Sequence, residues 1–179
     1  HEREAVVSSG DSIPTAYCIQ ANAQALAWYA ALCQEQDIVP IVEPEVLMDA
    51  DSSLEVCEDV TSRTLQAVFA ELDRQGVLLE GMLLKPNMVI SGKKCATQAD
   101  VQAVAEATVR TLKRYVPSAV PGIVFLSGGQ SDALATAHLD AMNKLGPLPW
   151  ALSFSYGRAL QAPALAAWSW LLYPLDAPH

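Results

Sequence analysis

Three observations predict an α/β fold. Short apolar runs alternate along the chain with longer amphipathic ones, the short runs are apolar almost throughout, and polar residues recur at or just past their ends. Runs of this kind are parallel strands covered by helices. Parallel neighbours require right-handed crossovers, which leaves an open doubly wound sheet or a closed (β/α) barrel. No G-x-G-x-x-G follows the first run, which weakens the dinucleotide-binding form of the doubly wound sheet.

The strand-like runs are residues 5–9, 38–46, 81–89, 122–126 and 152–154, the first of them weak. Helix-like segments lie between and after them, near 15–35, 51–75, 98–115, 131–144 and 158–170. Asp51 or Ser52 is placed to cap the second helix, Thr97 stands just ahead of Asp100 and Val101, and Ser131 with Asp132 opens the fourth. Gly76 marks the stop of the second helix, and Gly146-Pro147 the stop of the fourth.

With 179 residues, the chain is read as a single domain over 1–179. Apolar residues make up 51% and the net charge is −9, with no basic block to offset it. That argues against general disorder and against a nucleic-acid or anionic-membrane partner. An anionic ligand therefore needs a local cationic site. Cys18, Cys33, Cys57 and Cys95 are far apart with no C-x-x-C pair, which disfavours metal ligation and a disulfide framework and suits a reducing cytoplasm. The longest apolar stretch, residues 162–173, is interrupted by Pro163 and Ser169 and is too short to span a bilayer. The chain opens on His1 in place of Met, as a processed product or a piece of a longer chain would.

Lys85 follows Met82-Leu83-Leu84 and precedes Pro86. A lysine at a buried strand end is desolvated, which lowers its pKa and frees a neutral amine to attack a ketone or aldehyde. The plain alternative is an ion pair with Glu43 or Glu45. Glu43 and Glu45 alternate across Pro44, so in a strand both face one side. Two like charges that close raise one pKa, which suits proton transfer at neutral pH, although a solvated strand-end turn has the same pattern.

Leu126-Ser127-Gly128-Gly129 runs from a strand into the helix at Ser131, where glycine backbone and the helix dipole can meet an anion. Strand-to-helix turns use Gly and Ser in any case. Ser155-Tyr156-Gly157-Arg158 repeats the arrangement one unit later and adds a guanidinium suited to phosphate. Glu43, Lys85 and Ser127 are equally spaced along the chain, so successive units would deliver them to one rim. His138 falls mid-helix, and His1 and His179 are terminal; none reads as a metal ligand or catalytic base. Trp28, Phe69 and Trp150 read as packing residues, and Asp49, Asp51, Glu55, Glu58 and Asp59 as a solvated helix start.

Four strings together resemble class I fructose-bisphosphate aldolase: Ile41-Val42-Glu43-Pro44-Glu45, Leu83-Leu84-Lys85-Pro86-Asn87-Met88-Val89, Leu126-Ser127-Gly128-Gly129, and Leu152-Ser153-Phe154-Ser155-Tyr156-Gly157-Arg158-Ala159-Leu160-Gln161-Ala162. They occur in the family's order and cover about residues 5–168, with 169–179 a divergent tail. The resemblance implies a partial (β/α)8 TIM barrel, with the strands of the family's first half absent. It implies Lys85 as the Schiff-base lysine, Glu43 as the proton-transferring acid/base and Glu45 as its neighbour. Ser127, Gly128 and Gly129 would hold one sugar phosphate, helped by Ser155, Gly157 and Arg158. No metal and no cofactor beyond the covalent Schiff base would be needed. The implied setting is cytoplasmic, in glycolysis and gluconeogenesis, as a homo-oligomer.

One departure concerns the site. Where the family carries Lys-Trp-Arg on an earlier strand, an ungapped match sets Glu2, Arg3 and Glu4, an acid in place of a lysine. The alternative reading is therefore a truncated, inactive remnant that binds sugar phosphate or associates with a complete subunit.

Overall fold

The computed structural model describes residues 2–172 apart from Ser9, Asp11, Ser12 and Met48, and no more than the backbone of Arg158, Ala159 and residues 170–172. Strands and helices alternate in order: β1 (Glu2–Ser8), α1 (Ala16–Gln34), β2 (Ile41–Leu47), α2 (Leu54–Arg74), β3 (Leu83–Leu84), α3 (Val101–Tyr115), β4 (Gly122–Phe125), α4 (Asp132–Lys144), β5 (Ala151–Phe154) and α5 (Arg158–Leu172). All neighbouring strands pair in parallel, and the order across the sheet is β1-β2-β3-β4-β5. Spatial order that follows chain order is the arrangement of a (β/α) barrel sector and not of a doubly wound sheet, whose order reverses at a switch point.

One face of the sheet carries the core. Val42 and Val46 of β2, Leu84 of β3 and Ile123 of β4 are at most 1% exposed and pack with Leu26, Leu65, Leu72 and Leu112 from the helices. Each such side chain contributes about 1.5–3 kcal/mol relative to exposure. Residues paired in register on parallel strands share a face, so Glu4 of β1 stands beside Glu43 of β2, and Val6 beside Glu45. The face opposite the helices is thus acidic where these two strands meet.

The helix starts follow local capping chemistry. Ser53 accepts from the backbone N–H of Val56, Asp100 from Ala103 and Ser131 from Leu134. Ser131 is the cap predicted from sequence, whereas the second helix is capped one or two residues later than Asp51 or Ser52, and the third by Asp100 in place of Thr97. After α2, Gly76 takes φ +65°, the left-handed conformation that closes a helix.

Four expectations need correction. The first strand is not the weak run 5–9: it starts at Glu2, because Glu2 and Glu4 face away from the helices and escape an apolar count. The third strand is not the whole of 81–89. Lys85 still donates its N–H to Val42 (2.8 Å), but Pro86 has no N–H and the regular ladder ends. Trp28 is 52% exposed on α1, unlike the buried Phe69 and Trp150. Likewise the acids at the start of α2 are not merely solvated. Glu58 takes a two-pronged contact from Arg110 of α3 (2.9 and 2.6 Å), and Asp59 pairs with Arg63.

Candidate active site

The strand ends on the acidic side of the sheet surround a cavity of about 250 Å³ lined by Glu43, Glu45, Lys85, Leu126, Ser127, Gly128, Gly129, Ser155 and Gly157. Eight of the nine residues singled out from sequence therefore lie on one wall system; the side chain of the ninth, Arg158, is outside the described residues. Parallel strands deliver their C-terminal ends to one rim, so residues far apart in sequence converge there.

Lys85 reaches this cavity from the end of β3. Its side chain is 10% exposed, and Nζ lies 3.2 Å from Glu43 Oε1 and 2.9 Å from Glu2 Oε1. Burial pulls the ammonium toward losing its proton, but the Glu2 and Glu43 carboxylates outweigh it and hold the group above the ordinary lysine range. This overturns the expectation of a depressed, neutral amine and matches the ion-pair alternative, with Glu2 added to Glu43.

Glu43 is 5% exposed. Burial raises its carboxyl to about 7, with the Lys85 hydrogen bond pulling the other way. Glu45 is also raised to about 7, by burial and by a hydrogen bond with Glu4, whose charge and that of Glu43 add to the effect. Both acids thus change protonation near neutrality, the behaviour wanted of a proton-transfer group.

The loop after β4 is shaped by two left-handed glycines, Gly128 at φ +58° and Gly129 at φ +73°. They turn the chain sharply enough that the Gln130 N–H returns to the Ser127 carbonyl (3.1 Å), and the Gln130 side-chain amide donates to the same oxygen (2.8 Å). Ser131 then opens α4. Ser155 donates its N–H to Phe125 (2.9 Å), and the buried Tyr156 hydroxyl donates to Ala135 (3.0 Å), which fixes the neighbouring loop against α4. Successive backbone N–H groups beside a helix N-terminus form a concave site for an anion.

Three residues of the site had escaped the functional reading of the sequence. Glu2 was seen only as a departure from a family string, and Gln130 went unmentioned between Gly129 and Ser131. Asn87 lay unremarked inside the Lys85 string. It is 2% exposed, accepts from the Val46 N–H (3.1 Å) and donates to Thr61 and Met88, so it clamps the end of β2 to the segment after Lys85. Among the described residues, no group of three or more His, Cys, Asp or Glu is placed to hold a metal ion, and no helix is long and apolar enough to cross a membrane.

Comparison with known proteins bears on this arrangement. The family model of class I fructose-bisphosphate aldolase matches residues 3–170. A probable class 1 fructose-bisphosphate aldolase of Xanthomonas campestris is 60% identical over 165 residues, covering 92% of this chain and 49% of that protein. Mouse fructose-bisphosphate aldolase B is 55% identical, covering 92% of this chain and 45% of that protein. The structure of Plasmodium falciparum fructose-bisphosphate aldolase, solved with TRAP and a small-molecule inhibitor, superposes with a TM-score of 0.92 at 51% identity, over 93% of this chain and 49% of that one. The chain spans about half the length of the curated relatives it matches. With matching strings, matching strand order and this degree of identity, the chain belongs to the class I fructose-bisphosphate aldolase family.

Proposed function

We propose that the chain carries the Schiff-base part of an aldolase site, acting in the reversible cleavage of fructose 1,6-bisphosphate to dihydroxyacetone phosphate and glyceraldehyde 3-phosphate. The observation that carries this reading is the meeting of Lys85, Glu43 and the Ser127-Gly128-Gly129 loop around one cavity. A single domain over 1–179, a cytoplasmic setting in glycolysis and gluconeogenesis, and a homo-oligomeric assembly belong to the same reading.

In this mechanism the loop after β4, with Ser155, Gly157 and Arg158, binds one phosphate and sets the ketone carbon against Lys85. Glu43, near half-ionised at neutral pH, takes the ammonium proton; the freed amine adds to the carbonyl, and the proton returns to the departing water. The resulting iminium accepts the electron pair of the breaking carbon–carbon bond as a base takes the proton of the neighbouring hydroxyl, and the aldehyde leaves. Protonation of the enamine carbon and hydrolysis of the iminium release dihydroxyacetone phosphate. The iminium is the electron sink throughout, so the step needs no metal. The charges of Glu2 and Glu4 help keep Glu43 protonatable, and Glu45 stands beside it in the same cavity.

Incubation with dihydroxyacetone phosphate and borohydride is expected to fix one adduct on Lys85, read by peptide mass spectrometry. A folded sample with unmodified Lys85 refutes the reading. The contact between Glu2 and Lys85 favours a second reading, a remnant that binds sugar phosphate or joins a complete subunit without cleaving substrate. Measurable turnover of fructose 1,6-bisphosphate by the pure chain eliminates it.

A further inference from the structure

The backbone of the loop after β4 closes on itself through a single hydrogen bond. Ser127-Gly128-Gly129-Gln130 is a tight turn in which the Gln130 N–H returns to the Ser127 carbonyl (3.1 Å), with both central glycines at positive φ. Glycine enters that conformation without steric cost and leaves it as readily. A loop so built presents its N–H groups to a ligand in fixed array only where side chains hold it.

Gln130 supplies that hold. Its amide nitrogen donates to the Ser127 carbonyl (2.8 Å) and reaches the Met88 sulfur (3.6 Å), while its Oε1 lies 2.6 Å from His138 Nδ1. A carbonyl only accepts, so the amide nitrogen must face Ser127 and Oε1 must face His138, which puts the imidazole proton on Nδ1. His138 lies within α4 and is 3% exposed, and burial lowers its pKa, so the ring is neutral at ordinary pH. Met88 is buried three residues beyond Lys85. One half-buried side chain thus joins the loop after β4, the Lys85 segment and α4, with both ends of its amide engaged.

This junction has a directional consequence. A trans peptide is planar, with its C=O and N–H pointing opposite ways. Holding the Ser127 carbonyl toward Gln130 therefore turns the Gly128 N–H away from Gln130. Among the described residues, neither the Gly128 nor the Gly129 N–H has an acceptor within the chain. Both glycines line the cavity that Lys85 enters. The tie to Met88 sets the loop against the segment that carries the amine, and the tie to His138 sets it against a buried helix position.

We infer that Gln130, seated on His138, is a positioning residue that aims the Gly128 and Gly129 N–H groups at the substrate phosphate and fixes their reach from Lys85. The inference rests on the Schiff-base reading of Lys85 and adds to it the cause of a preference for phosphorylated ketones.

The test is borohydride-trapped adduct formation on Lys85 of the full chain, measured with dihydroxyacetone phosphate and with dihydroxyacetone, which lacks the phosphate. The parent is expected to form adduct more efficiently with the phosphorylated ketone. In Gln130→Met the ratio of the two efficiencies is expected to fall about fivefold, the worth of one ordinary hydrogen bond, through a higher half-saturating concentration of dihydroxyacetone phosphate. His138→Leu is expected to do the same, whereas His138→Asn, whose amide N–H stands where the Nδ1 proton stood, is expected to hold the ratio near the parent's. A merely structural role lowers both efficiencies together and leaves the ratio unmoved. An unchanged ratio in folded Gln130→Met overturns this inference alone, as does a His138→Asn ratio as low as that of His138→Leu, or a parent that reacts equally well with both ketones. Gln130 is only half-buried, so Gln130→Met decides the matter where a His138 variant does not fold. A folded parent that forms adduct with neither ketone overturns the Schiff-base reading and this inference with it.

Discussion

Replacing Glu2 by Gln removes one of the two carboxylate charges that hold the proton on Lys85. The change keeps the side chain's size and removes a carboxylate oxygen 2.9 Å from Lys85 Nζ. Two unit charges about 4 Å apart interact by ~1 kcal/mol in water and ~4 kcal/mol at an effective dielectric of ~20. The Glu2 side chain is 40% exposed, so the interaction falls toward the weaker limit. A loss of about 1.4 kcal/mol corresponds to about a tenfold rise in the uncharged amine at fixed pH. The rate of borohydride-trapped adduct formation with dihydroxyacetone phosphate is therefore expected to rise about tenfold at neutral pH, and to converge with the unmodified chain in alkaline solution, where both amines are free. Glu2→Asp keeps the charge and should stay near the parent rate. Equal trapping rates for the parent and Glu2→Gln at every pH, in folded samples, would show that Glu2 is not what holds the proton.

Further outcomes follow from the same geometry. Glu43 and Glu45 are raised to about 7 in the fold, against 4.5 as ordinary carboxyls. The folded state then holds protons that the unfolded chain has released, so their contribution to stability is full below about pH 4.5 and is lost as pH rises through about 7. The urea midpoint of Glu45→Gln should accordingly exceed that of the parent above pH 7, and the two should converge at the acid end of that window. Asn87→Ala leaves the Val46 N–H without its side-chain acceptor and strips a buried partner from Thr61, and should cost about 2–4 kcal/mol in chemical unfolding. Burial pushes the Cys57 thiol up to about 11, so a thiol reagent at neutral pH should label the partly exposed Cys18 and Cys95 and spare Cys57 until the chain unfolds.

The helices were legible in sequence because their signals are local. Ser131, Gly76 and the apolar face of each segment act within one or two turns, and the observed ends differ from those expected by a few residues at most. Strand order was narrowed to two arrangements from residue patterns, and the resemblance favoured the barrel sector. The strands themselves were less legible, for two opposite reasons. β3 looked long because residues 81–89 are mostly apolar, yet Pro86 ends its ladder while Met88 and Val89 are buried in a loop. β1 looked weak because Glu2 and Glu4 interrupt its apolar pattern, though they project to the side away from the helices and need no apolar character.

Convergence at the site was readable, and its electrostatic sign was not. That Glu43, Lys85 and Ser127 share a rim follows from strand ends and equal spacing, which are properties of the backbone. The charge state of Lys85 depends on a competition between burial and neighbouring carboxylates. The sequence pattern identified the burial and offered Glu43 or Glu45 as the carboxylate, of which Glu43 is the one in contact. The second carboxylate in contact, Glu2, lies on the adjacent strand, and only the β1–β2 register brings it near, by pairing Glu2 with Ile41 and Glu4 with Glu43. A register moved by one residue would turn Glu2 toward the helices and set Arg3 on the acidic face, a cation in its place. The sign of the amine's environment is therefore a consequence of strand pairing, and no inspection of the Lys85 segment alone can supply it.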